Sequence, residues 1–424
     1  MEPTGKISPQ PWMTAPETGA VIRALTAGGG EVRFVGGCVR DSIAGRPVGD
    51  IDIATPEPPV RVMELLEAAG IKAIPTGIGH GTVTAIEESR KFEITTLRRD
   101  LDTDGRHARV DFIDDWVVDA RRRDFTINTL SSTPDGDVYD PLGGLDDLGQ
   151  GRVRFVGVPK ERIEEDLLRL LRFFRFQAAY GRPPADQEAL AACRIMAPRL
   201  CELSGERVRD EMFRILLAPN PADSAVLMRG IGAFDAILPE AGDVGRLRML
   251  TWLEGTALKM ETVAPDALRR LAALLDPGCG GAGAEAVARR LRLSNREADR
   301  LATAAAPVQV SPDGDAPGLR RTLRRLGAET VRDLSLLAWA GELAVTPRLP
   351  AARTGAWRHI LETADAWRPL AFPLRGRDVT ALGVAPGPAV GRLLAAVEAW
   401  WEEGDYGPGR EACLEKLKSL IGDG

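Results

Sequence analysis

Residues 50–53 read Asp-Ile-Asp-Ile. Side chains alternate between the two faces of a strand, so this run puts both aspartates on one face and both isoleucines on the other. The isoleucines require a packed core behind them. The two carboxylates repel and cost stability unless a cation neutralises them. The run therefore calls for a sheet with one greasy face and one acidic, functional face. Its surroundings agree. Short Val/Ile/Thr-rich runs at Val32–Val35, Ile51–Ala54, Gly81–Ile86, Lys91–Thr96 and Arg109–Phe112 have the length and content of strands. A helix is predicted at Gly19–Ala27, and another at Pro59–Ala69, which Gly70 closes. After about Gly151 the strand signals fade and helical periodicity takes over, first at Glu161–Tyr180, Asp186–Cys201 and Gly205–Leu217. The expected class is α+β: an N-terminal head of mixed sheet and helices, then an elongated all-α remainder. Breaks are expected at Asp276–Gly283, Ala306–Gly318 and Thr346–Arg353, and no repeat of fixed period is present.

Gly36-Gly37 ends the strand before the acidic one and opens a predicted helix at Cys38–Ala44. A strand–Gly-Gly–helix turn lets backbone amides approach a phosphate without a Cβ in the way, and Arg40 follows within the first turn. A bare Gly-Gly pair is most often only a tight turn. Paired with Asp50, Asp52 and a third strand acid, Glu93, it becomes a functional constellation. Carboxylates are the hard oxygen ligands that Mg²⁺ prefers. Three of them holding two divalent ions can drive in-line phosphoryl or nucleotidyl transfer without a side-chain nucleophile. Other chemistries are disfavoured. With His80, His107 and His359 as the only histidines, and none followed directly by Asp, His-rich metal hydrolases and HD-type phosphohydrolases do not fit. Cys38, Cys193, Cys201, Cys279 and Cys413 form no CxxC, so neither a zinc knuckle nor a disulfide framework is suggested, and a cytoplasmic location fits. The glycines lack the GxGxxG spacing of a dinucleotide site. No run approaches the ~18 apolar residues of a membrane span, and no secretory leader is read at the N-terminus. The net charge of −6 argues against a protein that merely coats nucleic acid, though a local basic patch would suffice for binding.

The segments GGCVRDSIAGRPVGDIDIAT, KFEITTLR, RRRDFTIN, YDPLGGLDDL and EEDLLRLLRFFRF occur in this order. Over about the first half of the chain they resemble the class II tRNA nucleotidyltransferase and bacterial poly(A) polymerase family, within the polymerase-beta-like superfamily. The resemblance implies a catalytic head at 1–150, a helical neck with a base-reading helix at 151–217, a helical body at 218–345 and a helical tail at 346–424 that meets tRNA. It implies metal binding and catalysis by Asp50, Asp52 and Glu93, with two Mg²⁺ ions as cofactor. Gly36, Gly37 and Arg40 would steady the triphosphate, Arg123 would contact the incoming nucleotide, and Asp124 and Asn128 would lie near its ribose. From local pattern alone, Asp124 reads instead as a helix N-cap.

On the predicted helix Glu161–Tyr180, Asp166, Arg169, Arg172 and Arg175 form a polar stripe among leucines and phenylalanines. By itself such a stripe reads as ordinary i,i+3 ion pairing. Its chemistry also suits base reading. A carboxylate accepts and a guanidinium donates. Cytosine and adenine both present an amine beside a ring acceptor, whereas uracil and guanine present the reverse order. An Asp–Arg pair thus accepts C and A and leaves groups unpaired against U and G. The resemblance assigns this reading to Asp166 and Arg169 and further nucleotide contacts to Arg172 and Arg175. It also suggests that the polar segment Leu97–Ala108, read here as a surface loop, is mobile and helps switch from C to A addition.

In the neck, Ser204 heads a charged helix, read either as a capped packing helix or as part of the nucleotide pocket. Trp252, Trp339, Trp357, Trp367, Trp400 and Trp401 read as core rather than as RNA-stacking rings. The basic run Arg320–Arg325 reads as a solvated face, with phosphate tracking as the alternative. The expected activity is template-free addition of C, C and A to the 3′ end of tRNA from CTP and ATP, with pyrophosphate released and no membrane or protein partner. The alternatives are a poly(A) polymerase, an enzyme that adds only C or only A, and a non-catalytic RNA-binding protein on the same scaffold.

Overall fold

A computed structural model describes residues 1–103, 108–306 and 310–422. The chain forms two compact units: residues 1–239 with 290–292, and residues 240–289 with 293–424. The expected head and neck segments both fall in the first.

Among the described residues there are ten strands, all in the first unit: β1 (Gly5–Lys6), β2 (Arg33–Val35), β3 (Ile51–Thr55), β4 (Lys72–Gly77), β5 (Thr82–Glu87), β6 (Arg90–Thr96), β7 (Arg98–Thr103), β8 (Ala108–Phe112), β9 (Ser131–Ser132) and β10 (Asp137–Tyr139). Eight of them make one mixed sheet in the order β1-β10-β9-β2-β3-β6-β5-β4, with β3 and β6 parallel and the other pairs antiparallel. The alternation in β3 does what the sequence requires. Ile51 and Ile53 are buried with Phe34, Val39, Leu66, Val83, Phe92 and Ile94 in one core, under the helices Pro16–Thr26 and Pro59–Ala68. Burying an Ile or Phe side chain stabilises the fold by about 1.5–3 kcal/mol, so this face fixes the register that carries Asp52 on the other. Each expected strand is present within two residues of its predicted ends.

The polar segment 97–108 differs from expectation. Residues 98–103 and 108–112 pair as an antiparallel two-stranded sheet, β7 with β8. The run Arg109–Phe112 was expected as a strand, but its partner β7 escaped notice because it is charged rather than apolar, as Arg99 against Asp111 illustrates at 2.8 Å. Residues 104–107, His107 included, lie outside the described residues.

The predicted helix Glu161–Tyr180 is two helices, Pro159–Glu165 and Leu168–Tyr180. Asp166 between them is extended (φ −149°, ψ 107°), and its Oδ1 accepts from the Leu168 amide at 3.1 Å. Aspartate competes for nearby backbone amides in this way, and here the competition opens the helix. The second helix is held by an aromatic core of Phe125, Phe155, Phe173 and Phe176, with ring centroids 4.7–6.4 Å apart. The helix Gly205–Leu217 follows, capped by Ser204.

The second unit is helical. One part packs Gly245–Trp252, Ala267–Leu274, Asn295–Ala305, Ala328–Val345 and Ala351–Ala366. Another joins Gly376–Thr380, Pro388–Glu403 and Arg410–Gly422 around Val379, Val397, Trp401 and Leu417. Trp339, Trp357 and Trp401 are buried in these cores, as expected, while Trp252 is exposed. The glycine-rich stretch after Asp276 is less of a linker than its composition suggests. A short 3₁₀ turn, Pro277–Cys279, leads straight into the helix Gly280–Arg290. The basic run is satisfied internally in part: Arg320 pairs with Asp405, and Arg324 with Glu398 and Glu402.

Candidate active site

One cleft in the first unit, of about 950 Å³, is lined by Gly36, Gly37, Arg40, Asp50, Asp52, Arg123, Asp124, Asn128, Asp166, Arg169, Arg172 and Arg175. Every residue singled out from the sequence lines it except Glu93. Glu93 sits beside it by sheet register, opposite Asp52 on the parallel neighbour β6.

At the acidic end, burial and then the nearby Glu93 push the Asp52 carboxyl up to about 6, with Asp50 adding to the effect and Arg123 opposing it. Asp50 lies just before β3 rather than within it. Among the described residues, no three His, Cys, Asp or Glu side chains are drawn tightly enough together to hold a metal ion. Yet the donors are all hard oxygens, and Asp52 is crowded by like charge in a buried setting. A divalent cation would relieve that crowding, so the residues fit one in type and placement.

At the glycine turn, Gly36 has φ +68°, a conformation that L side chains rarely adopt, and an added Cβ would stand 3.0 Å from Arg123 Nη1. Glycine thus serves both the turn and the close approach of Arg123. Arg40 lines the cleft but is mostly buried. Its Nη1 donates to Asn128 Oδ1 at 2.5 Å and its Nε to Asp41 Oδ1 at 3.0 Å. Its guanidinium sits over the rings of Tyr180, at 4.5 Å, and Phe176, at 5.1 Å, and the Tyr180 hydroxyl donates to Asp41.

Asp124 is not an N-cap. The short 3₁₀ turn Thr126–Asn128 that follows it has Phe125 in the capping position. Asp124 is buried, and its carboxylate accepts from Asn128 Nδ2 at 2.9 Å, from the Phe125 amide at 3.0 Å and from Arg172 Nε at 2.6 Å. Burial opposes its charge, but Arg172 and these hydrogen bonds prevail and hold its carboxyl below the usual range. Arg40, Asn128, Asp124 and Arg172 therefore form one unbroken chain of hydrogen bonds across the cleft. The motif YDPLGGLDDL buttresses this turn from behind. The Asp140 carboxylate accepts from the amides of Gly144 and Leu145, and a Cβ on Gly144 would come within 2.2 Å of the Thr126 carbonyl oxygen.

Along the helix Leu168–Tyr180 the stripe is real, but its members do not pair with one another. Asp166 accepts from Arg207 Nη2, at 2.9 and 3.2 Å to its two oxygens. Arg169 Nη1 donates to Glu165 at 2.5 Å and to the Arg162 carbonyl at 3.0 Å. Arg175 meets Glu211 at 3.2 Å, and burial, then the nearby Arg172, pushes its guanidinium down to about 10.

Sequence reasoning missed Asp119 and Tyr180. Buried Asp119 accepts from the Arg98 amide, Arg122 and Arg123. Its arginines stand at i+3 and i+4, a spacing that could have pointed to it. Tyr180 reaches Asp41 from 139 residues away and left no local signal.

The geometry has close counterparts. Residues 32–154 match the Poly A polymerase head domain, and residues 186–243 match a domain described as a probable RNA and SrmB-binding site of polymerase A. The chain is 31% identical to the mitochondrial CCA tRNA nucleotidyltransferase 1 of Danio rerio over 411 residues, 91% of this chain and 87% of that one. It is 37% identical to a CCA-adding enzyme of Streptococcus gordonii over 236 residues, 55% of this chain and 58% of that one. The crystal structure of the Bacillus stearothermophilus CCA-adding enzyme in complex with CTP superposes with a TM-score of 0.74 at 26% identity, covering 96% of this chain and 98% of that one.

Proposed function

The chain belongs to the CCA tRNA nucleotidyltransferase family and is a nucleotidyltransferase; on that premise we propose that it adds C, C and then A to the 3′ end of tRNA, using CTP and ATP, reading each base on protein side chains and releasing pyrophosphate. The observation that carries this reading is the cleft itself, where a glycine turn, paired carboxylates and an arginine-bearing helix face one another.

The family chemistry uses divalent metal. Asp50, Asp52 and Glu93 would hold it here, and we take it to be two Mg²⁺ ions. When bound, the metal lowers the cost of ionising the attacking 3′-hydroxyl and neutralises the triphosphate. The remaining work falls to the chain. Gly36 and Gly37 let the backbone approach the triphosphate closely. Arg40 and Arg123 supply charge to it, Arg40 being fixed by Asn128, Asp41 and the Tyr180 ring. Asp124 and Asn128 present a rigid polar floor near the ribose. Asp166 accepts from the exocyclic amine of C or A, and Arg169 donates to the neighbouring ring nitrogen. Arg172 and Arg175 line the same wall. Since these groups are held before substrate arrives, little reorganisation is needed on binding. A cytoplasmic location belongs to the same reading. It is supported by five cysteines that are all free thiols.

The test is extension of a tRNA transcript that ends at its discriminator base, resolved to single nucleotides. Two additions with CTP alone, and a third when ATP is also present, are expected. A long ladder with ATP alone would make the protein a poly(A) polymerase. Two C without A, or extension only of a tRNA already ending in CC, would mark a C-adding or an A-adding enzyme. No extension would support a non-catalytic RNA-binding role.

A further inference from the structure

We propose that Arg46 is a positioning residue for the acidic end of the cleft: it ties the loop that carries Asp50 against the C-terminus of the helix Leu168–Tyr180, and so fixes Asp50 relative to the nucleotide held along that helix. The inference rests on the reading of Asp50, Asp52 and Glu93 as the metal-holding acids.

The loop 44–50 joins the helix Gly37–Ile43 to β3. Backbone geometry fixes its start. Gly45 is left-handed (φ +65°), its amide donates to the Ser42 carbonyl at 3.2 Å, and the Arg46 amide donates to the Asp41 carbonyl at 2.8 Å. Together these bonds close a Schellman motif, with Gly45 as its glycine. The Arg46 side chain then reaches a helix end 133 positions along the chain, where its Nη2 donates to the Ala179 carbonyl. Its guanidinium lies over the Tyr180 ring at 4.2 Å. The last carbonyls of a helix lack intrahelical donors, and the helix dipole favours a cation beside them. Here Gln177 is answered by the Gly181 amide at 2.9 Å and Ala178 by the Asn220 amide at 3.1 Å, and Ala179 is answered by Arg46.

Only Pro47, Val48 and Gly49 separate this anchor from Asp50. Asp50 lines the cleft, and among the described residues no hydrogen bond or ion pair holds its carboxylate. Its place is therefore set by the chain on either side: by buried Ile51 of β3 and by Arg46. Arg40 lies on the same Tyr180 ring, at 4.5 Å, so one ring registers both the loop that carries Asp50 and the arginine read as facing the triphosphate. Arg46 itself is not among the described residues that line the cleft, so it acts through Asp50. Catalytic groups have to be held within about 0.5 Å of their productive positions. A loop tethered only at β3 would not hold Asp50 to that tolerance.

The experiment compares the native protein with Arg46→Ala, Arg46→Lys and Asp50→Asn. It measures Mn²⁺ affinity by electron paramagnetic resonance, with CTP present and tRNA absent, and kcat and KM for CTP addition to a tRNA primer at saturating Mg²⁺. For Arg46→Ala, Mn²⁺ affinity and kcat should each fall by about tenfold or more, while KM for CTP changes far less. Arg46→Lys should recover part of both losses, because its ammonium can still donate to the Ala179 carbonyl. Removing a positive charge would by itself tighten cation binding, so weaker binding reports lost placement rather than an altered field. If Arg46→Ala keeps native Mn²⁺ affinity and kcat while Asp50→Asn loses both, Arg46 is an ordinary packing residue and the inference fails. It fails too if Arg46→Ala raises only KM for CTP. If Asp50→Asn leaves Mn²⁺ affinity and kcat unchanged, the reading of the metal-holding acids fails first, and the inference with it. Should Arg46→Ala not fold, Arg46→Met, which keeps an apolar stem over Tyr180 and removes the donor, gives the same comparison.

Discussion

The two units handle charge in opposite ways. In the second, Glu254 is buried and bridges two arginines, one oxygen accepting from Arg269 Nε at 2.7 Å and the other from Arg270 Nε at 2.6 Å. Arg269 also donates to Asp333, which takes Arg300 on its other oxygen, and Arg300 continues to Asp266. Each acid in this network is answered by a guanidinium. In the cleft of the first unit the wall arginines are answered too, Arg169 by Glu165, Arg172 by Asp124 and Arg175 by Glu211, but Asp50, Asp52 and Glu93 gather at one end, where burial and like charge raise the Asp52 carboxyl. The Glu211 Oε2 atom is even buried without a hydrogen-bond partner. A closed network specifies a structure, whereas an open one stores unmet electrostatic demand for a substrate. In this molecule the unmet demand lies at the acidic end, where a divalent cation would answer it.

The contrast can be broken or sharpened by mutation. The largest effect is expected at the acidic end. Asp52→Ala should lower kcat/KM for CTP addition by on the order of 10³-fold or more, the equivalent of several kcal/mol of transition-state stabilisation, and steady-state primer extension measures it. Next comes the closed network. Glu254→Ala leaves Arg269 and Arg270 without their shared acceptor, so unfolding by denaturant should show a loss of about 3–5 kcal/mol, while kcat/KM per folded molecule stays near the native value.

The third prediction sets stability against function at one residue. The folded protein holds the Asp52 proton up to about pH 6, whereas the unfolded chain releases it near its ordinary value. This group's favourable contribution is therefore complete at low pH and is lost as pH rises through about 6. At pH 8 without metal, Asp52→Asn should be more stable than the native protein by about 1–3 kcal/mol. Added Mg²⁺ should narrow or reverse the gap, by binding the native carboxylates and not the amide. Thermal melts with and without metal test both signs. The smallest effect is expected for Tyr180→Phe, which removes the hydroxyl that fixes Asp41 behind Arg40. Roughly 1 kcal/mol of lost positioning should raise KM for nucleotide about fivefold, with little change in melting temperature.

What the sequence made legible was local. Asp50 and Asp52 are two residues apart, Gly36-Gly37 directly precedes the helix that carries Arg40, and period-2 and period-3 spacings are read without knowing the fold. Glu93 could be picked out as a strand acid, although its registry with Asp52 is a product of sheet order. The misreadings arose where a distant partner overrides local pattern. The stretch from Glu161 to Tyr180 has continuous helical periodicity, yet Asp166 leaves the helix to take the Leu168 amide and Arg207. Asp124 has the composition of an N-cap and is instead the buried acceptor for Arg172. β8 was legible as a strand, whereas its partner β7 was hidden because charge replaces apolar alternation there.

The most direct test of the central claim, that the open acidic end is the metal-holding catalytic centre, is a Mn²⁺ titration followed by electron paramagnetic resonance in the presence of CTP. The native protein, Asp52→Asn and Glu254→Gln would be compared. The account predicts tight Mn²⁺ binding in the native protein and in Glu254→Gln, and its loss in Asp52→Asn. Equal Mn²⁺ binding by native protein and Asp52→Asn would contradict it.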